Sequence, residues 1–206
     1  GAGFIGSNLV DSLIESGHKV EVIDNFSSGK KENCNAKARY HSLDISDSDN
    51  IPTISDIMQN SDGVFHLAAL ARVQPSILDP VKYEKTNTLG TVNLLKSAVD
   101  SSIKRFIYSA SSSAYGNPQK LPSVEEHHTN PISPYAAQKF YGEVSCKMFS
   151  QVYGIETVSL RYFNVYGERQ NLGGAYATVV GIFIKQCLDK TPMTINGSGN
   201  NRRDYT

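Results

Sequence analysis

Three glycines in the first six residues, Gly1, Gly3 and Gly6, run straight into an apolar helical period. This junction constrains the fold more than any other stretch of the chain. Phe4, Ile5, Leu9, Val10, Leu13 and Ile14 recur on one helix face, and Gly17 is the expected stop. Lys19 to Asp24 then reads as a short strand that ends in a carboxylate. A glycine turn that opens a helix, with an acid about 20 residues further on, is the signature of a dinucleotide-binding β-α-β unit. The first amides of such a helix seat a pyrophosphate. Asp24 would accept the adenosine ribose hydroxyls and repel a ribose phosphate, which favours NAD over NADP. The strand that should precede the turn is not in the sequence, so the chain reads as starting inside the motif.

Strand-like and helix-like segments alternate from there to the end. Strands are expected at 39–43, 63–67, 105–109 and 157–161. Helices are expected at 51–59, 80–100, 134–153 and 176–188. This order predicts an α/β fold, a doubly wound parallel (Rossmann-type) sheet that lacks its first strand. Residues 1–163 form the expected dinucleotide domain, and 164–206 the start of a smaller substrate-binding lobe. Ligands of such sheets bind beyond the carboxyl ends of the strands. The 206 residues carry 20 basic and 20 acidic side chains, which gives no electrostatic case for nucleic acid or a membrane surface. No apolar run approaches membrane-spanning length. Cys34, Cys146 and Cys187 are scattered and lack metal-ligand spacing. They read as reduced thiols used as small buried hydrophobes in a cytoplasmic protein.

A second motif lies far downstream. Ser133 can cap a helix whose first turn holds Pro134, and Tyr135 and Lys139 then share one face. A tyrosine with a reference pKa of about 10 is a poor base at neutral pH. A nearby ammonium and a positively charged nicotinamide ring would both favour its phenolate. Such a tyrosine takes a proton from a substrate hydroxyl as hydride leaves the same carbon.

Together these motifs identify a family. The chain resembles the extended short-chain dehydrogenase/reductases that act on nucleotide sugars. The likeness rests on Gly1 to Gly6, Asp24-Asn25, His66 to Ala69, Asn87 to Thr91, Ser111 to Gly116, Ser133 to Tyr135 with Lys139, Leu160 to Gly167, and Arg203 to Tyr205. It implies roles position by position. Ser111 matches the catalytic serine or threonine, Tyr135 the base and Lys139 its partner. Phe4, Ile5 and the three glycines match the phosphate turn. Asp44 and Ile45 match the adenine contacts, and Ala68, Ala69, Asn87 and Tyr162 match positions along the cofactor. Asn164 and Arg203 match contacts to the substrate diphosphate, and Ile195 and Asn196 the nucleoside-base site.

The resemblance also implies a reaction. Related dehydratases and decarboxylases carry carboxylates just after the catalytic serine or threonine. This chain has Ser112 and Ser113, whose hydroxyls cannot do that acid-base work at neutral pH. The implied activity is 4-epimerisation of a UDP-sugar with NAD, either UDP-N-acetylglucosamine or UDP-glucose and their epimers. Small residues near Ala71 and Thr178 would admit an acetamido group, a pattern from which Arg72 departs. Dehydratase, decarboxylase and UDP-glucuronate epimerase activity, and a non-catalytic NAD-binding module, are the alternatives. A homodimer is implied for the full-length parent. Residues 1–206 are expected to be a fragment, and to be molten and inactive when expressed alone.

Overall fold

The computed structural model describes residues 1–171, 179–195, 197–200 and 202–206. Its strands are β1 (Glu21–Ile23), β2 (Arg39–His41), β3 (Gly63–His66), β4 (Arg105–Ser111) and β5 (Glu156–Tyr162). Its helices are α1 (Phe4–Glu15), α2 (Ile51–Met58), α3 (Val73–Leu78), α4 (Pro80–Glu84), α5 (Gly90–Asp100), α6 (Pro134–Tyr153) and α7 (Val179–Leu188). Every strand pair is parallel, as the alternation requires. The strands fall into two sheets, β1-β2 and β3-β4-β5, and β1 and β3 are not hydrogen-bonded to each other. In the larger sheet β4 is central. Phe106 faces Val64 on one side and Thr157 on the other.

Local chemistry explains most element ends. Ser133 caps α6 by accepting a hydrogen bond from the Ala136 amide at 3.2 Å, with Pro134 in the first turn. The continuous helix expected over 80–100 is in fact three pieces. Asp79 caps α4, a π-helical turn runs over Lys85–Leu89, and α5 begins at Gly90. The π turn widens the helix by one residue per turn, and it turns Asn87 inward to 1% exposure. Short α3, which holds Pro75, has no counterpart in the sequence expectation.

The core lies between β4 and the helices α2, α5 and α6. Phe106, Tyr108 and Ala110 alternate inward along β4 and meet Ile54, Met58, Leu94, Leu95, Cys146 and Phe149. Gly142 matters here, because a side chain at that position would overlap the Tyr108 phenol. Its absence lets Tyr108 pack flat against α6. Only Cys146 is the buried hydrophobe expected of all three cysteines, and burial raises its thiol to about 11. Cys34 is half-buried and Cys187 exposed, since neither lies on a core-facing position. Among the described residues no helix is long and apolar enough to cross a membrane.

Candidate functional site

A cleft of about 1000 Å³ opens beyond the carboxyl ends of β1, β3, β4 and β5. Each strand delivers its next residues to the wall: Asp24 and Asn25 after β1, Leu67 to Arg72 after β3, Ser112 and Ser113 after β4, and Phe163 and Asn164 after β5. The N-terminus of α1 and the side chains of Tyr135 and Lys139 complete it. Residues that lie far apart in sequence meet here because parallel strands all end on the same side.

At one end lies the glycine turn. Gly1 has no room for a side chain against Val22, and a Cβ on Gly6 would lie 2.9 Å from the Gly1 Cα. These two glycines let α1 sit tightly on the turn. Gly3 caps α1, and nothing lies within 4 Å of where its Cβ would be. An open, side-chain-free approach to the first turn of a helix fits a dinucleotide pyrophosphate.

The acids beside the turn are braced by backbone. Asp24 accepts from the nitrogens of Gly1 and Ala2 with one oxygen and from Phe26 with the other, each at 2.8 Å. Burial pushes its carboxyl up, but the hydrogen bonds it accepts outweigh this and hold the pKa below the ordinary value. Each carboxylate oxygen can accept twice, so Asp24 still has capacity for one ribose hydroxyl. Asp44 accepts from the Ser46 amide, the Ser46 hydroxyl and Asn25 at 2.8, 2.7 and 3.1 Å. Ile45 lines the cleft, yet its side chain is core, 5% exposed and tight against Gly90. Ala68 and Ala69 line the cleft. Asn87 does not. It accepts from the Leu70 amide at 2.8 Å and donates to the Leu70 carbonyl at 3.0 Å. The π turn points it at the loop after β3, so it is a strut behind the cleft rather than a lining residue.

The far end holds Ser111, Tyr135 and Lys139. Ser111, at the end of β4, is 8% exposed and donates to the Ser113 hydroxyl at 2.9 Å. Tyr135 is anchored by its amide, which donates to Ser76 at 3.1 Å. Burial raises the Tyr135 phenol above its ordinary value, while hydrogen bonding to Ser111 and the charge of Arg72 oppose that rise. The expected lowering by Lys139 is therefore absent in the free protein. The Lys139 ammonium instead lies 4.5 Å from the centre of the Tyr108 ring. Lys139 is 4% exposed, and burial lowers it to about 8. A desolvated ammonium over an aromatic face gains about 2 kcal/mol. Beneath it, His66 meets the Thr91 hydroxyl at 2.8 Å through Nε2. Thr91 donates its own proton to the Asn87 carbonyl at 2.6 Å, so His66 Nε2 must carry a hydrogen. Nδ1 is then a bare acceptor without a partner. Burial lowers this imidazole to about 3.

Other expected residues sit elsewhere. Tyr162 and Asn164 line the cleft, although Asn164 spends its amide on the Asp204 carbonyl at 2.7 Å. Ile195 and Arg203 are exposed and do not line it; the described contacts of their segment with the end of β5 run through Asp204, Tyr205 and Thr206 to Asn164 and Tyr166. Thr178 and Asn196 lie outside the described residues. Sequence reasoning missed Tyr108 as the support of Lys139. The only trace of it was an aromatic residue on an inward strand position. It also missed the backbone of Arg72, which lines the cleft at φ 91°. A left-handed φ costs a non-glycine residue about 1–3 kcal/mol and has no sequence signal there.

The chain can be set beside known proteins. It is 42% identical over its whole length to a protein of Methanocaldococcus jannaschii, provisionally named UDP-glucose 4-epimerase, and covers 67% of that protein. A crystal structure of UDP-glucose 4-epimerase with UDP-glucose from Thermotoga maritima matches the whole chain at 41% identity and a TM-score of 0.93, and the chain covers 66% of it. A UDP-N-acetylglucosamine 4-epimerase from Methanobrevibacter ruminantium, in complex with UDP-N-acetylmuramic acid, matches the whole chain at 40% identity and the same TM-score of 0.93, with 66% of it covered. The chain thus spans about two thirds of the length of these relatives. The family model of the NAD dependent epimerase/dehydratase family matches residues 1–206. With its open glycine turn, braced Asp24 and Ser111-Tyr135-Lys139 end, the chain belongs to the NAD dependent epimerase/dehydratase family.

Proposed function

We propose that the full-length protein is an NAD-dependent UDP-sugar 4-epimerase. It would interconvert UDP-N-acetylglucosamine and UDP-N-acetylgalactosamine, or UDP-glucose and UDP-galactose, through a 4-keto sugar. The observation that carries this reading is the distribution of acids in the cleft. Among the described lining residues the only carboxylates are Asp24 and Asp44, both at the cofactor end. The reacting end has Ser111, Ser112, Ser113, Tyr135 and Lys139. Water elimination and decarboxylation call for a further acid or base there, whereas epimerisation needs one proton shuttle.

The residues divide the work along the cleft. Gly1 to Gly6 would seat the pyrophosphate, Asp24 the adenosine ribose, and Asp44 and Ile45 the adenine. Lys139 would hold the second ribose. Bound there, NAD would supply reversible hydride acceptance at C4 of the sugar. Tyr135 takes the C4 hydroxyl proton, with Ser111 bridging, and gives it back when the ketone is reduced. Residues 164–206 would supply part of the nucleotide-sugar wall. The test is product analysis of the full-length protein with UDP-N-acetylglucosamine, UDP-glucose and UDP-glucuronate. The expected result is an equilibrium pair of 4-epimers with no net oxidation. A stable keto sugar or a pentose product would overturn it, as would NAD binding without turnover.

The same reading includes a homodimer. Tyr141, Val144, Met148 and Val152 make an exposed apolar stripe along α6. Leu78 and Val81 extend it at 79% and 78% exposure. Two copies related by a two-fold axis would bury this face against itself. Light scattering should report a dimer, and Val144→Glu with Met148→Glu should yield a monomer.

A further inference from the structure

Arg72 stands out by its backbone, its surroundings and its lack of a partner. Its φ is 91°, outside the conformations a side-chain-bearing residue prefers. The surrounding structure imposes this. Leu70 is held at both its amide and its carbonyl by Asn87, and the Ala71 carbonyl accepts from the Tyr83 hydroxyl at 2.7 Å. On the other side, the Val73 carbonyl accepts from Ser76 at 2.6 Å, and Ser76 in turn accepts from the Tyr135 amide. The loop that carries Arg72 and the helix that carries Tyr135 are therefore tied together. Strain that is held in place this firmly beside a ligand cleft is a mark of function. Among the described residues the Arg72 side chain makes no hydrogen bond and no ion pair. It lines the same cleft as Ser111, Tyr135 and Lys139.

We propose that Arg72 is a positioning residue of the reacting end, whose guanidinium supplies the positive charge that favours the Tyr135 phenolate. This rests on the role given to Tyr135 above. The groups that face Tyr135 are few. Lys139 lies on its own helix, Ser111 and Tyr108 come from β4, and Arg72 comes from the loop after β3. Of the two cations, Lys139 is turned onto the Tyr108 ring and has its own charge weakened by burial. Arg72 is exposed, shares the cleft with Tyr135, and carries a guanidinium whose charge opposes the rise that burial imposes on the phenol. The proton step is unchanged. The C4 hydroxyl proton passes to the phenolate oxygen, and Arg72 only makes the phenolate easier to form.

Two measurements on the full-length protein test this. The first is the pH profile of kcat/KM for UDP-sugar epimerisation in Arg72→Ala and Arg72→Lys. The acid limb of Arg72→Ala should move up by about one unit, giving about a tenfold loss below the limb that vanishes at high pH. Arg72→Lys should restore the profile, whereas a purely structural defect would lower the rate at every pH. The second measurement needs no turnover. Isotope-labelled tyrosine is read by NMR at Cζ, and Tyr135 is assigned by its loss in Tyr135→Phe. Its titration midpoint should rise in Arg72→Ala and return in Arg72→Lys. An unmoved midpoint overturns the proposal, even if epimerase activity is found. A moved midpoint in a protein with no epimerase activity supports Arg72's charge effect and counts only against the function assigned above.

Discussion

Tyr135, half-buried, and His66, buried, are two groups that burial shifts in opposite directions. Tyr135 is pushed up by burial and pulled back by a serine and an arginine. Tyr135→Phe should lower turnover of the full-length protein by roughly 10²–10⁴-fold, the usual size of a lost acid-base contribution. NAD affinity should stay near that of the wild type, and a calorimetric titration beside the rate assay checks both. His66 does not line the cleft. Protonating it would create a second N–H with nothing to receive it. The folded protein keeps this imidazole neutral down to about 3, while an unfolded imidazole gains its proton near 6.5. Between those values the unfolded chain binds more protons, so stability is present above 6.5 and is lost as pH falls toward 3. The slope is up to about 1.4 kcal/mol per pH unit. In His66→Gln this part of the acid sensitivity should disappear from urea midpoints measured across that range, whatever the variant costs at neutral pH.

At the scale of elements, α6 is the part most fully legible in the sequence. Ser133, Pro134 and the apolar spacing fix its start, and Gly154 takes the left-handed conformation at its end. The Gly1-to-Gly6 turn, the α1 helix and the strand ending at Asp24 were legible for the same reason, since local chemistry dictates each of them. The π turn over Lys85–Leu89 was not. Nothing in Lys-Thr-Asn-Thr-Leu distinguishes a π turn from an α turn, and tertiary demand at Asn87 accompanies it. Arg72 was visible as a cation out of pattern, but its strain comes from partners at Asn87 and Tyr83 that no local window contains. Ile195 and Arg203 lie outside the cleft lining, and no local window of the sequence contains the long-range packing that sets their placement. The joint between β4 and α6 gives a sharper test. Gly142→Ala would drive a methyl into the Tyr108 ring, the seat of the Lys139 ammonium. Overpacking of this kind costs about 1–3 kcal/mol. NAD affinity should fall with it, because Lys139 shifts as its support moves. Gly3→Ala should leave stability almost unchanged and still weaken NAD, since its methyl meets only the space meant for phosphate. Thermal melts paired with NAD titrations separate the two cases.

The whole molecule is unevenly secured. Among the described residues β4 is hydrogen-bonded on both sides and backed by the core, whereas β1 and β2 pair over three residues each. Amide exchange should be slowest at Phe106 and Tyr108 and faster by orders of magnitude at Val22 and Tyr40. Equal protection in the two sheets would contradict this. The parallel pairing has a consequence in time as well as in space. No strand here can find its partner through a hairpin, so each pairing waits for the chain to cross over and return. Ser111, Tyr135, Tyr162 and Arg72 arrive on four different segments, and no early intermediate brings all four together. When the protein refolds from denaturant, the ability to capture NAD should therefore return in the last kinetic phase. It should lag behind helical signal and coincide with the final burial of the tyrosines.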